Sequence, residues 1–271
     1  ESVTCTAVFF RRPTLALDSR CRHTRTIMSL SKAGLSTTLS DEQLAALGIR
    51  TSDDNALACQ AQNVIVAVKP QIAGKVLTAL PKLDVQQVIV SIMAGIKASS
   101  IETWLGGHQS IIRCMPNTPA LLGAGMTGMF ASASITEQQT TEAERILGAV
   151  GETVWVAQED ELDAVTALSG SGPAYFFLLM EAMLDAGRGM GLSDELCRQL
   201  VVETAKGAAM MAAQQETTPA TLRQNVTSPG GTTAAALSVM EQRALPEIVG
   251  EALEAARLRA GQMANEFGEQ K

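Results

Sequence analysis

The sequence predicts an α/β amino-terminal domain, built on a mostly parallel sheet with helices on both faces, followed by an all-α domain suited to dimerisation. Three observations predict this. Short Val/Ile-rich runs alternate with helical stretches from about residue 49 to 160, and the β-rich runs stop after about residue 161. The helical remainder also carries more apolar surface than one small bundle can bury in itself, and that surplus points to a second subunit.

The candidate strands are Val64–Val68, Val88–Ser91, Ser110–Arg113, Met126–Ala131 and Thr153–Val156. Near-continuous Val and Ile, without polar alternation, mark strands buried on both faces. Helices are expected near Gln71–Leu80, Ser99–Trp104 and Glu137–Ala149. In the second half, AYFFLLMEAMLDAGRGM (174–190) is apolar around most of its circumference, which implies burial on more than one side. Ser193 suits an N-cap, with Asp194 and Glu195 in the first turn of a helix reaching about Gln214. A last amphipathic helix spans roughly 246–268. The domain division drawn from this pattern is 1–160 and 161–271.

Composition narrows the function. The 271 residues carry a net charge of −7 and only 3% aromatics, which argues against nucleic acid or an anionic membrane surface as partner. No apolar run approaches the length of a bilayer span. Five Cys are scattered without a CxxC pair, as expected of free thiols in a reducing, cytoplasmic setting rather than of a metal cluster. His23 and His108 are the two histidines, and neither stands in a motif for a metal site or a nucleophilic triad.

Three strand ends carry candidate binding residues. In a parallel sheet, ligands lie beyond the carboxyl ends of the strands. VIVAVKP (64–70) places Val68, Lys69 and Pro70 at such an edge, VSIMAGI (90–96) places Ala94 and Gly95 there, and RCMPNTPA (113–120) ends a third strand in an Asn/Thr/Pro turn containing Asn117. Each alone is also what an ordinary strand stop looks like. In SGSGP (169–173), small residues allow close backbone contact and Pro173 fits the first turn of the next helix. A tight turn made for packing explains this stretch as well as a ligand does. The sharpest signal is TSPGGTT (227–233), where two glycines free the backbone just ahead of an Ala-rich helix whose first amides and dipole favour an anion. Thr232 or Thr233 could serve only as an N-cap, but one hydroxyl suffices for that, and the surplus tilts toward binding a carboxylate.

These blocks together resemble the pyrroline-5-carboxylate reductase family. PATLRQNVTSPGGTTAAALSVME (219–241) is similar to its signature, and AVKPQ (67–71), RCMPNTPA and DAVTALSGSGPAYFF (163–177) look like further family blocks in the same order. The resemblance covers roughly residues 49–271. It implies a Rossmann-like amino-terminal domain, an interlocking helical dimerisation domain, and dimers that assemble further, for instance to a decamer. It implies reduction of 1-pyrroline-5-carboxylate to L-proline by hydride from NADPH or NADH. By position in the motifs, Thr233 would donate its hydroxyl to the ring nitrogen, and Ser228 with the amides around Gly230, Gly231 and Thr232 would hold the carboxylate. Glu216 matches a position near the substrate. Asn55, Val68, Lys69 and Ala94 match nucleotide-contacting positions, with Pro70, Gly95 and Asn117 beside them.

The chain departs from the family at its beginning. The family opens with a strand running into a glycine-rich turn that cradles pyrophosphate. Here the first glycine is Gly34 and no GxGxxG occurs in residues 1–50. Met28–Leu35 looks like the end of the family's first helix, and Asp41–Leu47 like the helix after its second strand. Residues 1–27 are rich in Arg, Ser and Thr, as transit peptides are, but such a peptide would precede the glycine turn rather than replace it. An altered upstream reading frame fits the abrupt loss of resemblance better than a variant holding pyrophosphate through Arg11 and Arg12. Two rival readings follow: a dimeric pseudoenzyme without cofactor binding, and a hydroxy-acid dehydrogenase relying on Lys206, which lies in no recognisable motif.

Overall fold

The computed structural model describes residues 27–28, 50–51, 54–214 and 217–268. The expectations placed on Arg11, Arg12, Asp41–Leu47 and Glu216 fall outside them. Met28 lies in a short strand, β1 (Ile27–Met28), parallel to β2 (Arg50–Thr51), where the resemblance put the end of a helix.

Two compact units divide the chain, one of residues 1–171 with 255–271 and the other of residues 172–254. The first holds a five-stranded sheet in sequential order: β3 (Asn63–Val66), β4 (Val88–Ser91), β5 (Ile111–Met115), β6 (Gly125–Ala131) and β7 (Gly151–Trp155). Helices α1 (Asn55–Ala58), α2 (Ala73–Thr78), α3 (Ala98–Trp104), α4 (Glu137–Leu147) and α5 (Glu161–Val165) alternate with the strands. All neighbouring strands pair in parallel except β5 with β6. That exception follows from chain length. Nine residues separate Met115 from Gly125, too few for the crossover that a parallel return requires. Between β6 and β7, α4 supplies such a crossover, and Thr136 starts it with a capping box to Gln139.

Both faces of the sheet are covered, as the unbroken apolar strands predict. On one face Val64, Val66, Ile89 and Ile111 pack with Val76 and Leu77 of α2, Ile101 of α3 and Phe267. On the other, Ile65, Val90, Ile112, Cys114 and Met129 pack with Ala143 and Leu147 of α4. The two sets alternate along each strand, as a pleated sheet dictates.

The second unit is helical: α6 (Gly172–Gly189), α7 (Asp194–Ala213), α8 (Pro219–Asn225), α9 (Thr232–Gln242) and the first part of α10 (Leu245–Gly268). Ser193 caps α7 by accepting from the Leu196 amide. Burial pushes the pKa of Cys114 upward, and burial with the nearby charge of Asp54 pushes Cys59 up to about 11. Cys59, Cys114 and Cys197 are free and buried.

Between Leu168 and Ala174 the sequence suggested a break. The regular helix is interrupted there: α5 runs into a single widened, π-helical turn, Thr166–Gly170, closed by the Ser171 amide donating to the Thr166 carbonyl at 2.8 Å, and the next helix begins at Gly172. Turns of this kind are rare and are frequently found at functional sites.

Candidate functional site

The parallel strands end at one edge. Val66 of β3 is level with Ser91 of β4, and Ser91 with Arg113 of β5. The segments that follow therefore leave the sheet side by side, bringing Val68, Lys69 and Pro70, then Ala94 and Gly95, and then Asn117 to the same edge. Val68 turns its side chain into the core, whereas Lys69 is exposed and precedes a 3-10 turn, Pro70–Ile72, opened by Pro70. Asn55 opens α1, ahead of β3.

Gly95 has a φ of +73°, a conformation that side chains disfavour, and a Cβ placed there would lie 3.0 Å from the Cβ of Met263. The small residue thus admits the last helix of the same chain against the loop after β4. Asn117 is equally committed within the fold. Its Oδ1 accepts from the Met126 amide at 2.9 Å, and its Nδ2 donates to the carbonyl and the hydroxyl of Ser169, each at 3.3 Å.

A partly buried ion pair holds this edge in place. Arg113, in the middle of an apolar strand, has a side chain only 7% exposed, and its Nη1 donates to Glu159 Oε1 at 2.8 Å. The same oxygen accepts from the Ala98 amide at 2.7 Å, capping α3 directly after the Gly95 loop. Lys97 pairs with Asp160 at 3.2 Å on the exposed rim. Asp163 stands nearby with its pKa raised, chiefly by burial, against the opposing pull of the Arg113 charge. None of these acidic residues was singled out in the sequence. The signal available was Arg113 itself, since a charge inside IIRCM requires a partner once the strand is buried.

The second group of residues forms a turn and a helix start in the helical unit. Ser228, Pro229, Gly230 and Gly231 make a type II turn, in which the Gly231 amide donates to the Ser228 carbonyl at 3.0 Å. Pro229 presets the first corner, and Gly230, with φ +69°, takes the second, which excludes most side chains. Thr227 lies just past the preceding helix and bonds back to it: its hydroxyl donates to the Arg223 carbonyl at 2.6 Å. The N-cap of α9 is Gly231, with no side chain to occupy the first-turn amides. Thr232 and Thr233 therefore lie inside the helix, as its first two residues. The first helical bond runs from Ala235 to the Gly231 carbonyl, so the amides of Thr232, Thr233 and Ala234 have no partner within the helix. Thr232 is exposed and Thr233 half-buried. Ser228, Gly230, Gly231, Thr232 and Thr233 thus share one turn of backbone, rich in donors and at the positive end of an 11-residue helix.

No group of three or more metal-ligating side chains occurs among the described residues. No helix there is long and apolar enough to cross a membrane.

Two family models match the chain. Residues 159–263 match pyrroline-5-carboxylate reductase dimerisation, and residues 28–95 match NADP oxidoreductase, coenzyme F420-dependent. The pyrroline-5-carboxylate reductase of Pseudomonas aeruginosa is 47% identical over 83% of this chain and 82% of its own length. That of Haemophilus influenzae is 42% identical over 82% and 83%. Among solved structures, the Coxiella burnetii pyrroline-5-carboxylate reductase aligns with a TM-score of 0.75 at 40% identity, covering 83% of this chain and 84% of that one. The Plasmodium falciparum pyrroline carboxylate reductase, solved with NADP bound, aligns with a TM-score of 0.77 at 30% identity, covering 88% and 87%. With identity this high over more than four-fifths of its length, the chain belongs to the pyrroline-5-carboxylate reductase family.

Proposed function

We propose that the chain reduces 1-pyrroline-5-carboxylate to L-proline, the last step of proline biosynthesis, with NADPH or NADH as hydride donor. One observation carries the assignment of roles. The first turn of α9 offers unengaged amides and the Thr233 hydroxyl together, and its N-cap, Gly231, leaves them open.

The substrate is a cyclic imine with a carboxylate borne directly on the ring carbon next to the nitrogen, on the side away from the C=N bond. The amides of Thr232 and Thr233, aided by the Ser228 hydroxyl and the turn at Gly230 and Gly231, receive the carboxylate as helix starts receive anions. The Thr233 hydroxyl donates to the ring nitrogen and draws electrons from the adjacent carbon. The nicotinamide supplies hydride to that carbon, and the nitrogen takes up one proton. Glu216, from outside the described residues, is assigned near the substrate. Val68, Lys69, Pro70, Ala94 and Gly95 at the strand edge, together with Asn55, are assigned to the cofactor, with Asn117 beside them, which suits an edge where three parallel strands end level. Orientation and a positioned donor do the work here, so no imidazole is required.

Thr233→Ala tests the central role. Turnover, followed by oxidation of NADPH with 1-pyrroline-5-carboxylate, is expected to fall roughly 100-fold while the circular dichroism spectrum and melting temperature stay close to the parent's. Unchanged turnover would remove Thr233 from the mechanism. The pseudoenzyme reading, motivated by the missing glycine turn in residues 1–50, is separated by titrating the protein with NADPH: saturable micromolar binding rejects it.

The family's dimerisation segment makes the chain part of an oligomer. We assign a homodimer that assembles further, such as to a decamer, in the cytoplasm, where buried free thiols such as Cys114 and Cys197 persist.

A further inference from the structure

In an α-helix, the carbonyl of Ser169 accepts from the amide four residues on. Here that residue is Pro173, which has no N–H. The widened turn Thr166–Gly170 and the side chain of Asn117 meet this deficit together. Asn117 Nδ2 supplies the donor, reaching the Ser169 carbonyl and hydroxyl at 3.3 Å each. Its own amide plane is held from the other side by the Met126 amide at 2.9 Å. The neighbouring Gly170 leaves room for the Met115 side chain, whose terminal methyl fills the space a Cβ would need. The turn is thus fastened at two points to the carboxyl end of β5, on the edge that carries Val68, Lys69, Ala94 and Gly95.

We propose that Asn117 is a positioning residue for the reaction: its side-chain amide holds the π-helical turn Thr166–Gly170 on the carboxyl edge of the sheet, and that placement keeps the cofactor edge in the geometry needed for hydride transfer. The inference rests on the reductase reading above. It assigns Asn117 an action through Ser169, because both amide protons of its side chain are already spent there. Without the clamp, the Ser169 carbonyl loses its donor and the turn tightens toward the ordinary helical ring, away from Met115. A displacement of about 1 Å at such an edge costs on the order of 100-fold in rate.

The test uses Asn117→Ala, Asn117→Asp and the pair Asn117→Ala with Pro173→Ala. The aspartate keeps the acceptor for Met126 but has no amide proton for Ser169, so it separates the turn from the β6 contact and serves if the alanine variant folds poorly. Both single variants are expected to lower kcat at least about tenfold with a smaller change in KM for NADPH, and to speed hydrogen exchange at the Ser171 amide. Adding Pro173→Ala returns an N–H to the Ser169 carbonyl. Melting temperature and slow exchange should then recover, while kcat stays low because an α-helical ring does not restore the contact with β5. Turnover within twofold of the parent in Asn117→Asp overturns the proposal. So does recovery of kcat together with stability in the double variant, which would make Asn117 a stabilising residue only. If the parent itself shows no NADPH-dependent reduction, the reductase reading fails separately. The clamp is then judged on Ser171 exchange alone, and unchanged exchange in Asn117→Asp overturns it.

Discussion

In the sheet unit β4 buries all four of its residues between helices of the same chain, whereas in the helical unit Phe176, Phe177 and Leu178 stand 66%, 62% and 66% exposed in succession. Consecutive helical residues point about 100° apart. Three exposed in a row therefore leave much of the circumference of α6 uncovered by its own chain. Leu179, Leu200, Met210 and Met211 add to that surface. One unit completes its core within its own chain, and the other is shaped to be completed by a second copy, in keeping with the dimerisation family model over residues 159–263. Stability and assembly should consequently respond to different mutations.

The largest effect is expected from Phe176→Asp. A carboxylate at the centre of the uncovered face would have to be buried without a partner on association. Sedimentation velocity should show loss of the oligomer at micromolar protein, with the sheet unit still folded by near-ultraviolet spectroscopy. An unchanged sedimentation coefficient would break the contrast between the units. Next comes Ile89→Ala, which empties a fully buried position in β4. Chemical denaturation should show a loss of about 3 kcal/mol without a shift in oligomeric state at low denaturant. A dissociated oligomer would mean that the two units do not respond independently.

The smallest effect is at Asp163. Burial raises its pKa in the folded protein above the 3.8 of an ordinary aspartate, so the fold prefers the protonated carboxyl. The penalty is absent below the unfolded pKa, grows as pH rises through the folded pKa, and is fully present at neutral pH. Asp163→Asn should therefore stabilise the protein at pH 7, and the gain should vanish as the pH falls toward 3.8. Since the group is partly exposed, the gain is expected to be about 0.5 kcal/mol or less. Thermal melts of both proteins across that range check the sign. Destabilisation at pH 7 would mean that the attraction of Arg113 outweighs burial.

Much of the sheet could be read from residue order, because VIVAV and VIVS carry their burial on both faces in their composition. The predicted Val88–Ser91 coincides with β4, and the ends of the other strands shift by at most two residues, because a strand stops where its ladder partner stops and a local pattern does not contain that partner. The SPGG turn was equally legible, because Pro and Gly restrict or free φ locally. By contrast, the ion pair of Arg113 with Glu159 joins residues 46 apart, and the Asn117 clamp joins residues 52 apart. No spacing rule announces such pairs. Gly95 follows the same rule: its small size is plain in the sequence, but its neighbour, Met263, comes from the far end of the chain.

Amino-acid order alone determined the alternation of strands and helices, the turn before α9 and the family blocks, since all of these reside in local backbone preference and local composition. Only the tertiary structure decided that Glu159 receives the Ala98 amide at the start of α3, that Gly231 rather than a threonine caps α9, and that Asn117 reaches Ser169. Each depends on which backbone group is left without a partner once the chain has closed on itself, and that is a property of the whole fold.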